Sequence, residues 1–108
     1  MNRDPIFLRV DADLESGYER LARCLTIAAA LQRRRRPVHF LSHLDPLSLA
    51  NSIKRGGNEW IPMNQRVGAP GDIEQMNKEI LRRGPGAILV DDADTTRGYL
   101  QQIGRAHV

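Results

Sequence analysis

The sequence is short of several features that define whole classes of protein. Of its 108 residues, one is cysteine and 5% are aromatic. A single cysteine excludes an internal disulfide and fits a reducing compartment. The scarcity of aromatic residues argues against a surface that stacks nucleic-acid bases, as single-strand binders use. We therefore expect no nucleic-acid partner.

Signatures of membranes and metals are missing as well. No apolar run approaches bilayer length, and no basic start with a small-residue cleavage site marks a signal peptide. We therefore expect no membrane span and a cytoplasmic location. His, Cys, Asp and Glu show no metal-ligand spacing, and neither a P-loop nor a G-x-G-x-x-G motif is present. No metal and no cofactor are expected.

The positive charge is concentrated in one place. The formal net charge is +3, and much of the excess is the arginine run 33–36. Such a run suits an acidic-lipid or nucleic-acid surface. It also suits a solvated helix end, where cations complement the negative pole of the helix dipole. The composition favours the second interpretation.

Apolar runs alternate with helical patterns along the chain. We predict strands at about 6–10, 38–41, 59–62 and 87–90, and helices at about 18–35, 46–53, 72–83 and from 95 onward. This alternation predicts an α/β fold with a Rossmann-like parallel sheet. The expected strand order is three-two-one-four. That order brings the loops after strands one and four together, at Asp11 and Asp91.

The first predicted helix is the longest. Its apolar residues at helical spacing are Leu21, Leu25, Ala28, Ala29 and Leu31. Ser16 and Glu19 predict a capping box at its start, and Pro37 predicts its end. In the next predicted helix, Asp45 is the expected cap and Pro46 the first residue.

The last six residues are interpreted separately. IGRAHV is the translation of ATCGGAAGAGCACACGTC, which is part of a widely used sequencing adapter. We therefore interpret 103–108 as adapter read-through and 1–102 as a truncated Rossmann-like N-terminal domain. The alternative is a chance helix end.

The stretch 9–24, RVDADLESGYERLARC, carries the clearest pattern. It resembles the UDP-2,4-diacetamido-2,4,6-trideoxy-β-L-altropyranose hydrolases of pseudaminic acid biosynthesis and related spore-coat polysaccharide proteins. That family has R-A-D-A-S, followed after a few residues by G-x-G-H-V-M-R-C. The residues that match, without a gap, are Arg9, Asp11, Ala12, Gly17, Arg23 and Cys24. A weaker second match comprises Val90, Asp91, Tyr99 and Leu100.

The resemblance implies the N-terminal half of a GT-B-like two-domain architecture, with a nucleotide sugar between the halves. A missing C-terminal domain would supply most nucleotide contacts. The N-terminal loop would supply a histidine that helps to activate water against the UDP-sugar. Arg20 occupies that histidine position here. Arginine stays protonated near neutral pH and cannot abstract a proton from water, but it can hold a diphosphate.

Two main functions stay open. One is a UDP-sugar hydrolase-like protein of nonulosonate or surface-polysaccharide biosynthesis, and the other is a non-catalytic or glycosyltransferase-like relative that binds a nucleotide sugar. A free-standing module that binds UDP is a third. The resemblance assigns catalytic positions to Asp11 and Arg20, and substrate-binding positions to Arg9, Gly17, Tyr18 and Asp91. The chain alone is expected to be inactive, since half a cleft cannot enclose its ligand.

Several of these residues also have structural interpretations. Asp11 could orient a water or a sugar hydroxyl, or be a loop carboxylate that caps the next helix by accepting backbone N–H bonds. Arg23 could pair with Asp11, which is favoured, or contact the substrate. Cys24 is expected to be a small core residue. His39 is predicted to lie in the core or at its rim, and His43 is a weaker candidate for facing the cleft.

Overall fold

Four parallel strands form one sheet in the computed structural model, which describes residues 4–15, 17–84 and 86–90. The strands are β1 (Ile6–Arg9), β2 (Val38–Ser42), β3 (Glu59–Pro62) and β4 (Ala87–Val90). The helices are α1 (Glu19–Arg33), α2 (Ala50–Arg55) and α3 (Asp72–Arg83), and a 3₁₀ turn at Leu47–Leu49 leads into α2. The strand order is β3-β2-β1-β4, so the predicted α/β class and order are confirmed.

The register aligns the carboxyl ends of the central strands. Arg9, the last residue of β1, pairs with Leu41 of β2 and with Val90 of β4. Because every pairing is parallel, the loops that leave these strands emerge at one edge of the sheet. We call this the carboxyl edge.

Apolar side chains cover both faces of β1, as expected for a continuous apolar run in a parallel sheet. On one face Leu8 and Val10 pack with α1 and α2; on the other, Phe7 packs with α3. Cys24 is 1% exposed in the α1 layer, which confirms its prediction as a core residue. Ala29, predicted to face inward, is exposed, because it lies one position beyond the buried Ala28.

Helix α1 begins at Glu19 with Tyr18 at its N-cap position, within one residue of the predicted start. The predicted capping box involves Ser16, which lies outside the described residues. The predicted start of the second helix is wrong, because Asp45 does not begin a helix. Pro46 is extended, with φ −74° and ψ 155°, and the 3₁₀ turn follows it. The predicted last helix and the segment 103–108 also lie outside the described residues.

None of the helices within the described ranges combines the length and the apolar character of a bilayer-spanning segment.

The end of α3 is joined to β3 by charged side chains. Arg83 donates to Glu59 Oε1 from Nε at 3.0 Å and from Nη2 at 2.7 Å, and to Glu79 Oε2 at 2.7 Å. Glu59 Oε2 lies 2.9 Å from His39 Nδ1. The hydrogen bonds from Arg83 hold the pKa of Glu59 below its usual value.

The Glu59→Gln substitution is expected to destabilise the fold in a pH-dependent way. Because folding lowers the pKa of Glu59, its charge stabilises the fold above its ordinary pKa of 4.5. That contribution is lost as the pH falls through the lower pKa of the folded state. Since the pair is partly exposed, we expect a loss of less than about 1 kcal/mol in the free energy of unfolding at neutral pH. Urea unfolding across pH measures it, and a loss that persists in strong acid would contradict the assignment.

Candidate functional site

A groove of about 730 Å³ opens where the β1–α1 loop meets the first turns of α1. Its lining residues are Leu14, Glu15, Gly17, Tyr18, Glu19, Arg20 and Arg23. The groove therefore lies within the stretch 9–24, at the carboxyl edge. Open α/β sheets bind ligands at this edge, where loops meet helix N-termini.

The loop that enters the groove is closed on itself. The Gly17 N–H donates to the carbonyl of Asp13 at 2.8 Å, and Gly17 has a φ of 82°. A Cβ at this position would meet no atom within 4 Å, so glycine is favoured by backbone conformation and not by crowding. The turn directs the following residues, Tyr18 to Arg20, along the groove.

Tyr18 and the two arginines supply the polar character of the groove. The Tyr18 hydroxyl lies 3.5 Å from the carbonyl oxygen of Asp45, which connects the β1–α1 loop to the loop after β2. Arg20 is half-buried and Arg23 is exposed. Tyr18, the N-cap residue of α1, makes no side-chain capping bond. The first turn of a helix presents backbone N–H donors, and the helix dipole favours negative charge there.

Arg9 does not reach the groove, because its side chain is completely buried. Its Nε and Nη2 donate to Asp72 Oδ1 at 3.1 and 2.9 Å, and its Nη1 donates to Asp11 Oδ1. Further bonds run from Nη1 to the Leu41 carbonyl at 3.1 Å and from Nη2 to the Gln65 carbonyl at 3.0 Å. The structure thus places this residue, to which the resemblance assigns substrate binding, in the interior.

Asp11 is 5% exposed and binds neighbouring loops. Its Oδ1 accepts the N–H of His43 at 2.9 Å, and its Oδ2 accepts the N–H of Val67 at 2.8 Å. Its arginine partner is Arg9, so the predicted pairing with Arg23 is wrong. Asp11 accepts backbone N–H bonds, as predicted, but the donors belong to the loops after β2 and β3, so these bonds do not cap the helix that follows it.

Asp72, the first residue of α3, completes the buried group and is 0% exposed. Its Oδ2 accepts the N–H of Gly68 at 2.8 Å. Each carboxylate that binds Arg9 therefore also binds a backbone N–H of the 63–71 segment, which joins β3 to α3. The segment is held against the carboxyl edge by these bonds.

Arg66 connects the same segment to the groove. Its Nε lies 3.0 Å from Asp13 Oδ2, and its Nη1 pairs with Glu15, a groove residue. His43 Nδ1 is 3.7 Å from the same oxygen of Asp13. His43 is half-buried, so it lies beside the loop without lining the groove.

The structure thus divides the predicted site residues into two layers. Gly17, Tyr18 and Arg20 line the groove together. Arg9 and Asp11 lie beneath it, buried. Asp91 is outside the described residues. His39, predicted for the core or its rim, stacks on Phe7 with ring centroids 5.3 Å apart.

Sequence reasoning missed Asp72 and Arg66. An acidic residue in the first turn of a helix is ordinarily explained by the helix dipole, so Asp72 gave no distinct signal. It is also 63 positions from Arg9 in the sequence. Arg66 belongs to a loop without periodicity. Within the described ranges, no group of His, Cys, Asp and Glu side chains is arranged to hold a metal ion.

The Arg9→Met substitution is expected to be severely destabilising. It keeps an apolar stem but leaves two buried carboxylates without their cation, which costs about 3–5 kcal/mol. Urea unfolding followed by circular dichroism measures this loss. Arg82→Met is the matched control, because it removes an exposed arginine that lies 3.7 Å from Glu79, and it should cost far less. Equal losses in the two variants would contradict the role of Arg9.

Comparisons of the chain with protein-family models, curated protein sequences and solved structures found no match.

Proposed function

We propose that this chain is the N-terminal, Rossmann-like part of a UDP-sugar hydrolase-like protein of nonulosonate or surface-polysaccharide biosynthesis. Its groove would receive the diphosphate side of a nucleotide sugar, and a second domain would cover it. The observation that supports the proposal is the position of Arg20 and Arg23. Both border an open groove at the N-terminus of α1, within the stretch that resembles the family.

The groove has the electrostatic character that a diphosphate needs. Four charged side chains line it, two arginines and two glutamates. Glu15 pairs with Arg66, and Arg20 and Arg23 bring two guanidinium groups to the groove. Guanidinium groups bind phosphate oxygens through paired N–H donors, and the first turn of α1 adds backbone donors.

Tyr18 suits the organic part of the same ligand. Its side chain is 39% exposed at the groove, and its hydroxyl is held by the loop after β2. An aromatic ring fixed at one end offers a flat surface on which a uracil or sugar ring can pack. Arg20 would then hold phosphate, because it cannot act as a base.

Titration with UDP, followed by NMR, tests the groove. We expect chemical-shift changes to concentrate at the amides of 17–23, with weak affinity because the proposed second domain would supply most nucleotide contacts. Arg20→Ala should weaken binding by about tenfold or more, since a hydrogen bond to a charged group contributes about 1.5–3 kcal/mol.

Lys78→Ala is the control for this titration, because it removes an exposed cation from α3. Uridine without phosphates should bind more weakly than UDP. Shifts confined to other regions, or equal effects of the two variants, would contradict the proposed diphosphate site.

A second function, a nucleotide-sugar-binding relative without hydrolase activity, is favoured by one observation. Arg20 stands where the resembling family has the histidine that implies acid–base chemistry. A protein of this kind would keep the groove and its anion-binding groups while lacking the group that activates water.

The Arg20→His substitution in the full-length protein distinguishes the two functions. If catalysis has been lost at this position, the variant gains hydrolysis of a UDP-sugar, measured as release of UDP, while the unchanged protein shows none. Arg23→His is the control and should gain nothing. Turnover by the unchanged full-length protein would exclude the non-catalytic function.

A further inference from the structure

Five cations lie together at the amino edge of the sheet, opposite the groove. We call this set the basic face, and its members are Arg33, Arg34, Arg35, Lys54 and Arg55. All five are exposed. They follow from the topology, because helices that lead into the strands of a parallel sheet end at its amino edge, as α1 and α2 do.

One hydrogen-bonded side chain makes the basic face continuous. Gln32 Nε2 donates to the carbonyl of Gly57 at 3.0 Å and to Asn58 Oδ1 at 2.9 Å. These bonds fix the end of α1 against the turn that follows α2. The two groups of cations are therefore neighbours on one surface.

The charge of the basic face is not neutralised by carboxylates. In the ranges that the structure describes, none of its five members forms an ion pair. Arg55 donates to Ser52 Oγ at 3.3 Å, and Lys54 Nζ lies 5.7 Å from the centre of the Trp60 ring. The cations at the end of α3 differ, since Arg83 is paired with acidic side chains. The charge of the basic face is therefore available to an anionic partner.

The backbone at Arg35 gives a second reason to look for a partner. The Arg35 N–H donates to the Gln32 carbonyl at 2.9 Å, and the Arg36 N–H donates to the Leu31 carbonyl at 3.1 Å. This is the Schellman ending of a helix, in which the residue at the Arg35 position is usually glycine. Arg35 has a φ of 60°, which strains a residue with a side chain. The geometry of the turn therefore does not account for an arginine there.

We propose that the basic face docks the protein on an anionic membrane surface, through the phosphate-bearing headgroups of acidic lipids. Attraction to a charged plane acts over about a Debye length and needs no close contact. Binding without close contact suits this surface, because the helix ends also present carbonyl oxygens. These carbonyl oxygens oppose the close approach of a phosphate group. With the amino edge on the membrane, the groove at the carboxyl edge faces away from it.

A nucleic acid fits the same charges less well. Phosphate contacts to nucleic acids use backbone N–H groups and helix N-termini as well as side chains, whereas this surface has helix C-termini. Trp60 is half-buried beside Lys54 and does not offer an open face for stacking. The proposal does not depend on the ligand of the groove.

Vesicle co-sedimentation of the full chain tests the proposal. We expect binding to vesicles of phosphatidylcholine with phosphatidylserine, no binding to phosphatidylcholine alone, and loss of binding in high salt. Arg34→Gln should lower the partition coefficient about fivefold, which corresponds to about 1 kcal/mol per cation near the surface. Lys78→Gln, which removes a cation outside the basic face, should leave it unchanged.

Arg35→Gly separates the docking role from a structural one. We expect it to weaken vesicle binding about fivefold, like Arg34→Gln, while it raises the melting temperature by relieving the strained φ. A fall in the melting temperature would show that Arg35 stabilises the fold, and would contradict its role in docking. No binding to the anionic vesicles, an equal effect of Lys78→Gln, or tighter binding to a DNA duplex at the same salt would each overturn the proposal.

Discussion

A buried guanidinium between two buried carboxylates determines how the carboxyl edge of this sheet is built. Arg9 binds Asp11 and Asp72, and none of the three has more than 5% of its surface exposed. One positive charge cannot balance two negative charges. Backbone N–H donors from the loops that follow β2 and β3 supply the rest of the stabilisation. Such a group is stable only when every member is satisfied, since each loses its hydration on burial.

This buried group also separates the structural layer from the exposed one. Arg9 and Asp11 point inward and hold three loops together, whereas residues between Leu14 and Arg23 line the groove. The 63–71 segment contributes to both layers, because Val67 binds Asp11 in the interior and Arg66 pairs with Glu15, which lines the groove. A ligand in the groove would therefore contact a surface whose shape is set by residues it does not touch.

Strands and the third helix could be predicted because their signals are local. Apolar runs mark β1, β2 and β4, and glycine and proline bound α3 on both sides. The bridge between Asp13 and Gly17 that precedes α1 could not be predicted, because backbone groups form it. The burial of Arg9 could not be predicted either. A strand that ends in arginine ordinarily presents it to solvent, and its partner Asp72 lies far along the chain.

The separation of Arg9 from Asp72 has a consequence for the order of events during synthesis. The two residues are 63 positions apart, so at ordinary rates of translation Asp72 is made roughly 3 to 13 s after Arg9. Throughout that interval the residues of β1 and α1 lack the carboxylate that completes the interior of the carboxyl edge. The native carboxyl edge therefore cannot form until α3 has left the ribosome.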